Sequence, residues 1–398
     1  MKSKLIALAL FAVTTATVAL LPAYQSVGGI TPADPPVIDP ASNDQSRIDV
    51  VFVLDTTGSM SGLIQAAREK IWSIATTMSQ AQPAPILRLG LVAYRDRGDD
   101  YVTRVVDLSE DLDSVYATLM DFAAGGGGDG PESVNQALHE AVHQISWTQD
   151  SDAYKVVFLV GDAPPHMDYP NEVRYPATLA EATRRGIVVN TIQCGDWVMT
   201  TQPWQQIAQL GGGRFFEVGQ AGSALAMASP YDDKIASLSA DLDATRLYFG
   251  DKQAKLKMLE KEAATAKLHA FASPASRARR ATFNASETGE RNLLGESELV
   301  DAIESGRVDL EEIDSEELPE TMQAMAPAEQ RAFVKETADR RAELAGQIEQ
   351  LARQRADYLK KKVEAAGGAE DSLDHKIYSA VREQAEGKGI VLEDAPAY

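Results

Sequence analysis

Apolar positions fall into two regimes along the chain. Between residues 50 and 218, short β-branched apolar runs alternate with stretches of helical period. Runs at 50–54, 87–94, 102–108, 155–160, 187–192 and 214–218 predict strands, with 102–108 at an edge. Helical period covers 61–78, 112–122, 132–145, 172–185 (interrupted at Pro176) and 204–210. Strands separated by helices need crossover connections. They therefore predict a doubly wound, Rossmann-like α/β domain over 49–219, its mostly parallel sheet covered on both faces. From about Tyr231 the strand signal stops, and Ala, Glu, Lys, Arg and Leu dominate a mainly helical C-terminal region. Residues 231–272 read as a helix, 273–326 as a linker and acidic segment, and 327–398 as a helical region. In the last, Phe333, Leu344, Ile348, Leu351, Tyr358 and Leu359 recur at roughly heptad spacing, which suits a helical hairpin or coiled coil. Such helices would also suit self-association.

Composition narrows the function. The formal charge of -21 disfavours nucleic acid, whose phosphates need Lys and Arg contacts. The segment 296–320 holds eleven acidic residues against the single Arg307, a composition that stays solvated. Lys2 and Lys4 precede an apolar run at 5–21 and then Pro22 and Ala23, the plan of a secretory signal peptide over 1–23. Export to the periplasm or the extracellular space is therefore expected, with membrane anchoring if that signal stays uncleaved. Residues 24–48, rich in Pro, Asp and Ser, read as a linker. Cys194 is the one cysteine, so packing rather than a disulfide must stabilise the exported chain.

The chemistry gathers where strands end. Asp55, Thr57 and Ser59 sit at alternate positions where the first strand gives way to a helix. Open parallel sheets bind ligands beyond the carboxyl ends of their strands. Short oxygen-bearing side chains converging there suit hard divalent cations. Asp162 ends the central strand, and the loop Gly125-Gly126-Gly127-Gly128-Asp129-Gly130-Pro131-Glu132 can carry Asp129 or Glu132 to the same edge.

Asp55, Thr57 and Ser59 resemble the D-x-S-x-S motif of the metal-ion-dependent adhesion site in von Willebrand factor type A domains and integrin inserted domains. Asp162 is similar to the family's later carboxylate, which acts through water or the hydroxyls. The family's middle ligand is a Thr in the loop before a helix; no Thr stands there in this chain, and Asp129 is the substitute, with Glu132 second. The run Ala93-Tyr94-Arg95-Asp96 and the later Gly-Gly-Asp-Gly-Pro-Glu most resemble the type A domains of hemicentin-like proteins and of a group of α-kinases. Those kinases carry a separate catalytic domain with no counterpart here. The resemblance implies a non-enzymatic protein holding Mg²⁺, or Mn²⁺ or Ca²⁺, with one coordination position open to an Asp or Glu carboxylate of a protein partner. His166 and Asp168, close to Asp162, are candidates for a rim that touches the partner.

Competing readings are weaker. His139-Glu140-Ala141-Val142-His143 spells a zinc-protease string, yet the apolar face Val134, Leu138, Ala141, Ile145 puts both histidines on the solvent side. Asp55-Thr56-Thr57-Gly58-Ser59 also resembles a phosphorylated-aspartate loop, but Thr56 replaces its Lys. Two alternatives stay open: a scaffold whose C-terminal helices bind the partner while metal only steadies the loops, and a Mg²⁺-dependent phosphoester hydrolase.

Overall fold

A computed structural model describes residues 45–128, 130–220, 227–365 and 373–392. The expected signal segment and most of the linker after it lie outside them.

Six strands form one sheet: β1 (Arg47–Asp55), β2 (Ile86–Tyr94), β3 (Thr103–Ser109), β4 (Tyr154–Gly161), β5 (Ile187–Cys194) and β6 (Gly212–Val218). Their order is β3-β2-β1-β4-β5-β6. All neighbours pair parallel except β2 and β3, which makes β3 an antiparallel edge strand. The chain winds outward on one side of β1, returns, and winds outward on the other. The crevice between the carboxyl ends of β1 and β4 is therefore the topological switch point.

Alternation along β1 divides the core. Ile48, Val50, Phe52 and Leu54 point to one face, Val51 and Val53 to the other. The second face is covered by α3 (Val134–His143), α4 (Tyr175–Arg184) and α5 (Val198–Leu210). The first is covered by α1 (Ser61–Ser79), α2 (Leu112–Leu119) and the chain's last helix. Pro176 starts α4 rather than interrupting it, because a first-turn residue has no intrahelical N–H bond to lose.

The C-terminal region departs from expectation. It holds α6 (Asp232–Asp243), α7 (Lys252–Phe271), α8 (Pro274–Asn284), α9 (Glu287–Leu294), α10 (Leu299–Glu304), α11 (Pro327–Ala365) and α12 (Leu373–Glu386). Three of these helices occupy the stretch expected to be linker and acidic segment. Ser273, Ser286 and Glu298 cap them by accepting from Ser276 N, Gly289 N and Asp301 N. The apolar seam of α11, including Leu344 and Ile348, packs on α6 and α8 of the same chain. Gln45–Tyr398 is one compact unit. The α/β domain and its helices share cores, with Leu268 and Phe283 inside the first-face cluster.

Candidate metal centre

The site is built where β1 stops. Asp55 is its last residue, wholly buried, and pairs in register with Tyr94 of β2. Asp55 Oδ1 accepts from Thr57 N at 2.9 Å and Thr57 Oγ1 at 2.7 Å. Thr57 Oγ1 lies 3.4 Å from Ser59 Oγ, so the three alternate side chains do converge. Thr56 turns the other way. Its hydroxyl donates to Tyr94 O and meets Tyr101 OH, fixing the turn to β2.

The glycine loop folds over this turn. Gly125 N donates to Thr56 O at 3.1 Å, Gly58 N to Gly126 O at 3.3 Å, and Gly127 N to Asp99 Oδ2 at 3.1 Å. Gly126 has φ +75°, and a Cβ there would stand 2.3 Å from the Asp99 carboxylate, so only glycine fits. Arg95 braces the loop from below through Thr56 O and Ala123 O.

Asp129 lies outside the described residues. The loop carboxylate that the structure does bring to the site is Glu132. Its backbone is locked to the loop after β4, with Glu132 N donating to Pro164 O at 2.9 Å and His166 N to Glu132 O at 3.0 Å. Asp162 follows β4 directly, and its Oδ2 accepts from Gln220 Nε2 at 2.7 Å. Thr57, Ser59, Gly127, Glu132, Asp162 and Trp197 line an open pocket of about 350 Å³; the wholly buried Asp55 joins it through its hydrogen bonds from Thr57.

Two observations mark this pocket as a cation site. Among the described residues, Asp55 Oδ2 and Glu132 Oε2 are buried with no donor at full hydrogen-bond geometry, the nearest help to Asp55 beyond Thr57 being a weak approach of the Asp162 backbone N–H. Buried carboxylate oxygens normally find one, since leaving them bare is costly. The electrostatics agree. Burial pushes the Asp55 carboxyl up to about 7, against the opposing Thr57 hydrogen bonds. Burial, then the Asp55, Asp96, Asp99 and Asp162 carboxylates, push Glu132 up to about 9. A bound proton or a cation relieves such a cluster, and among the described residues no Lys or Arg lines the pocket to supply the charge. Among the described residues, no three Asp, Glu, His or Cys side chains form a ready-made cage. A cation here would draw on hydroxyls as well as carboxylates, the donor set of a hard ion.

The expected rim is corrected in part. His166 is buried, its Nδ1 2.8 Å from Asp168 Oδ1 and its Nε2 3.4 Å from Asp96 Oδ2, and it stacks on Tyr169. That ring is committed to the protein interior rather than to the surface. Asp168 remains exposed. Exposed apolar residues that sequence reasoning misses follow beside the pocket: Trp197, which lines it, and then Val198 and Met199, 43%, 79% and 66% exposed. They begin α5, and the helix is tied to the site through Thr200 Oγ1, which donates to Asp162 O at 2.7 Å. Gly130 makes room for Trp197, since a Cβ there would stand 2.7 Å from the indole. The helical period in the sequence begins only at Trp204, so residues 197–199 fall outside every predicted element and carry no sign of an exposed apolar cluster. His139 and His143 stack on each other on α3, the first half-buried and the second exposed, as their helical position requires.

A doubly wound sheet with an Asp-Thr-Ser turn at its switch point defines a class, and the comparisons give the family. Residues 49–220 match the von Willebrand factor A domain family, and that stretch is a von Willebrand factor A domain. A putative ariadne-like RING finger protein of Acanthamoeba polyphaga mimivirus is 25% identical over 124 residues, which are 31% of this chain and 12% of the viral protein. Among solved structures, the SpRpn10 VWA domain is similar at 12% identity and TM-score 0.35, over 46% of this chain and 92% of that one. Proximal thread matrix protein 1 from the mussel byssus, described with a zinc-occupied MIDAS motif, is similar at 16% identity and TM-score 0.34, over 44% of this chain and 42% of its own. The chain thus spans a small part of the viral relative and under half of the mussel protein.

Proposed function

We propose that this chain is an exported, non-enzymatic binding protein that holds a protein partner through a divalent cation, Mg²⁺ in the first instance, at the β1–β4 switch point. The observation that carries this reading is the pair of buried oxygens, Asp55 Oδ2 and Glu132 Oε2, with no donor at full hydrogen-bond geometry among the described residues. Asp55, Thr57, Ser59, Glu132 and Asp162 would hold the ion, Asp55 and Asp162 in part through the hydroxyls and water. The bound ion supplies a Lewis-acidic point for a partner oxygen. Thr57 and the glycine loop set the turn, and Asp96 and Arg95 hold that frame still. Export is supported by Lys2, Lys4 and the apolar run that follows them.

A protein partner is favoured by what surrounds the pocket. Trp197, Val198 and Met199 form an exposed apolar lip on a strongly acidic chain, where large apolar groups cost solubility unless a partner covers them. The test is calorimetric titration of Mg²⁺, Mn²⁺ and Ca²⁺ into the full chain and into Asp55→Ala. Saturable binding by the parent and none by the variant is expected. A folded parent that binds none of the three ions removes the proposal.

A further inference from the structure

We infer that Glu132 selects the partner oxygen: the open position of the bound ion takes an uncharged donor of a protein, such as a backbone carbonyl, amide or hydroxyl, and rejects a carboxylate. This rests on the metal-dependent reading above and replaces the acidic partner that the family resemblance implies.

Charge and position carry it. Glu132 and Asp162 line the pocket, and the buried Asp55 carboxylate lies close enough to repel Glu132; Asp55 and Asp162 answer to carboxylates of the family motif, whereas Glu132 brings a negative charge to the loop where the family's middle ligand is an uncharged Thr. Glu132 is 3% exposed and lines the pocket, with its Oε2 lacking a donor among the described residues. Its backbone is hydrogen-bonded on both sides to the Pro164–His166 loop, Glu132 N donating to Pro164 O and His166 N to Glu132 O. The bare Gly127 adjoins both Glu132 Oε1 and Thr57 Cβ, so the carboxylate stands next to the hydroxyl turn. Three negative groups already exceed the charge of a divalent ion. A partner carboxylate would add a fourth like charge at contact distance, in a site where Asp99 is also near. An uncharged oxygen adds none. The lip agrees: a carboxylate seated at the ion would lie beside the Trp197 indole, which lines the pocket, whereas an uncharged segment carrying apolar side chains would bury Trp197 and the exposed Val198 and Met199 that follow it.

The experiment loads the full chain with Mn²⁺, follows water-proton relaxation, and titrates acetate as the carboxylate probe. In the parent, acetate should leave the relaxation enhancement unchanged. In Glu132→Thr it should displace bound water at an at least about tenfold lower concentration, one charge at contact distance being the difference. Glu132→Gln, which keeps the side chain's size, serves if the Thr variant does not fold, and it should also weaken Mn²⁺ binding by at least about tenfold if Glu132 is a direct ligand. Acetate displacing water equally from the parent and either variant overturns the inference while leaving the metal site intact. No relaxation enhancement in the parent overturns the metal-dependent reading itself.

Discussion

At Asp55 and Glu132 the chain keeps two carboxylates where burial disfavours their charge. Their carboxyls are raised to about 7 and about 9, so the metal-free native state holds protons that the unfolded chain has already released. Their contribution to stability is then complete below about pH 4, the ordinary carboxylate range, and is lost as pH rises through about 7 and on toward 9. The expected outcome is a melting temperature that falls between pH 5 and pH 9 in chelator and recovers on adding Mg²⁺, which favours the ionised groups. Scanning calorimetry across that range checks it, and Glu132→Gln should flatten the chelator curve. Gly161 tests the same packing. A Cβ there would meet Tyr94 OH at 2.4 Å and Asp55 Cβ at 2.9 Å, so Gly161→Ala should cost about 1–3 kcal/mol in urea unfolding. Much of this scale is legible in sequence. Alternating Asp55, Thr57 and Ser59 after an apolar run leaves little choice of geometry, and the structure shows them converging. Glu132 and the Trp197 lip are less legible, because which loop atom reaches the pocket depends on how that loop hydrogen-bonds to another strand's end.

Among the elements, α8 has the largest consequence. It carries Arg280, wholly buried, between Asp113 of α2 and Asp243 of α6. Burial alone would raise the Asp113 carboxyl, but the Arg280 charge and hydrogen bonds outweigh it and hold the carboxyl well below the usual range. Asp243 is lowered in the same way, with His269 Nε2 adding a 2.7 Å contact. The two carboxylates therefore stabilise the fold above their unfolded values near pH 4, and that contribution is lost as pH falls below it. Arg280→Met would strip both carboxylates of their shared guanidinium, leaving Asp243 to Arg246 and His269 and Asp113 to hydrogen bonds from Thr265 and Asn292, and should cost about 3–5 kcal/mol, read by urea denaturation at pH 7. The basic cluster Arg277, Arg279, Arg280 is visible in the sequence, yet composition there suggests a solvated linker. A buried Arg is recognisable only once both of its carboxylates are placed, and they lie 167 and 37 residues away.

For the whole molecule, the last helix closes the first domain. On α12, Ile377, Tyr378, Ala380, Val381 and Ala385 enter the core beside α1, followed by Ile390 and Leu392. Gln384 exchanges hydrogen bonds with Tyr154 and Asn190, Arg214 pairs with Glu383, and Gln82 and Val391 bond backbone to backbone. Each large apolar side chain there stabilises by roughly 1.5–3 kcal/mol, and together they rival the ~5–15 kcal/mol net stability of an ordinary domain. A chain ending at Ala365 should therefore lose cooperative unfolding or melt far lower, as circular dichroism would show. A fragment of 45–230 should fare no better, although the family match ends at residue 220. The helices thus belong to the α/β unit and are not a detachable arm.

The amino-acid sequence by itself determined the strand–helix alternation, the parallel sheet and the oxygen-rich turn after β1, because each depends on residue spacing within a short stretch. Only the tertiary structure decided that Glu132 stands at the site, that His166 is turned inward, that Trp197, Val198 and Met199 face water, and that α12 completes the sheet's cover. Those outcomes depend on contacts between segments tens to hundreds of residues apart, whose energies no local pattern records.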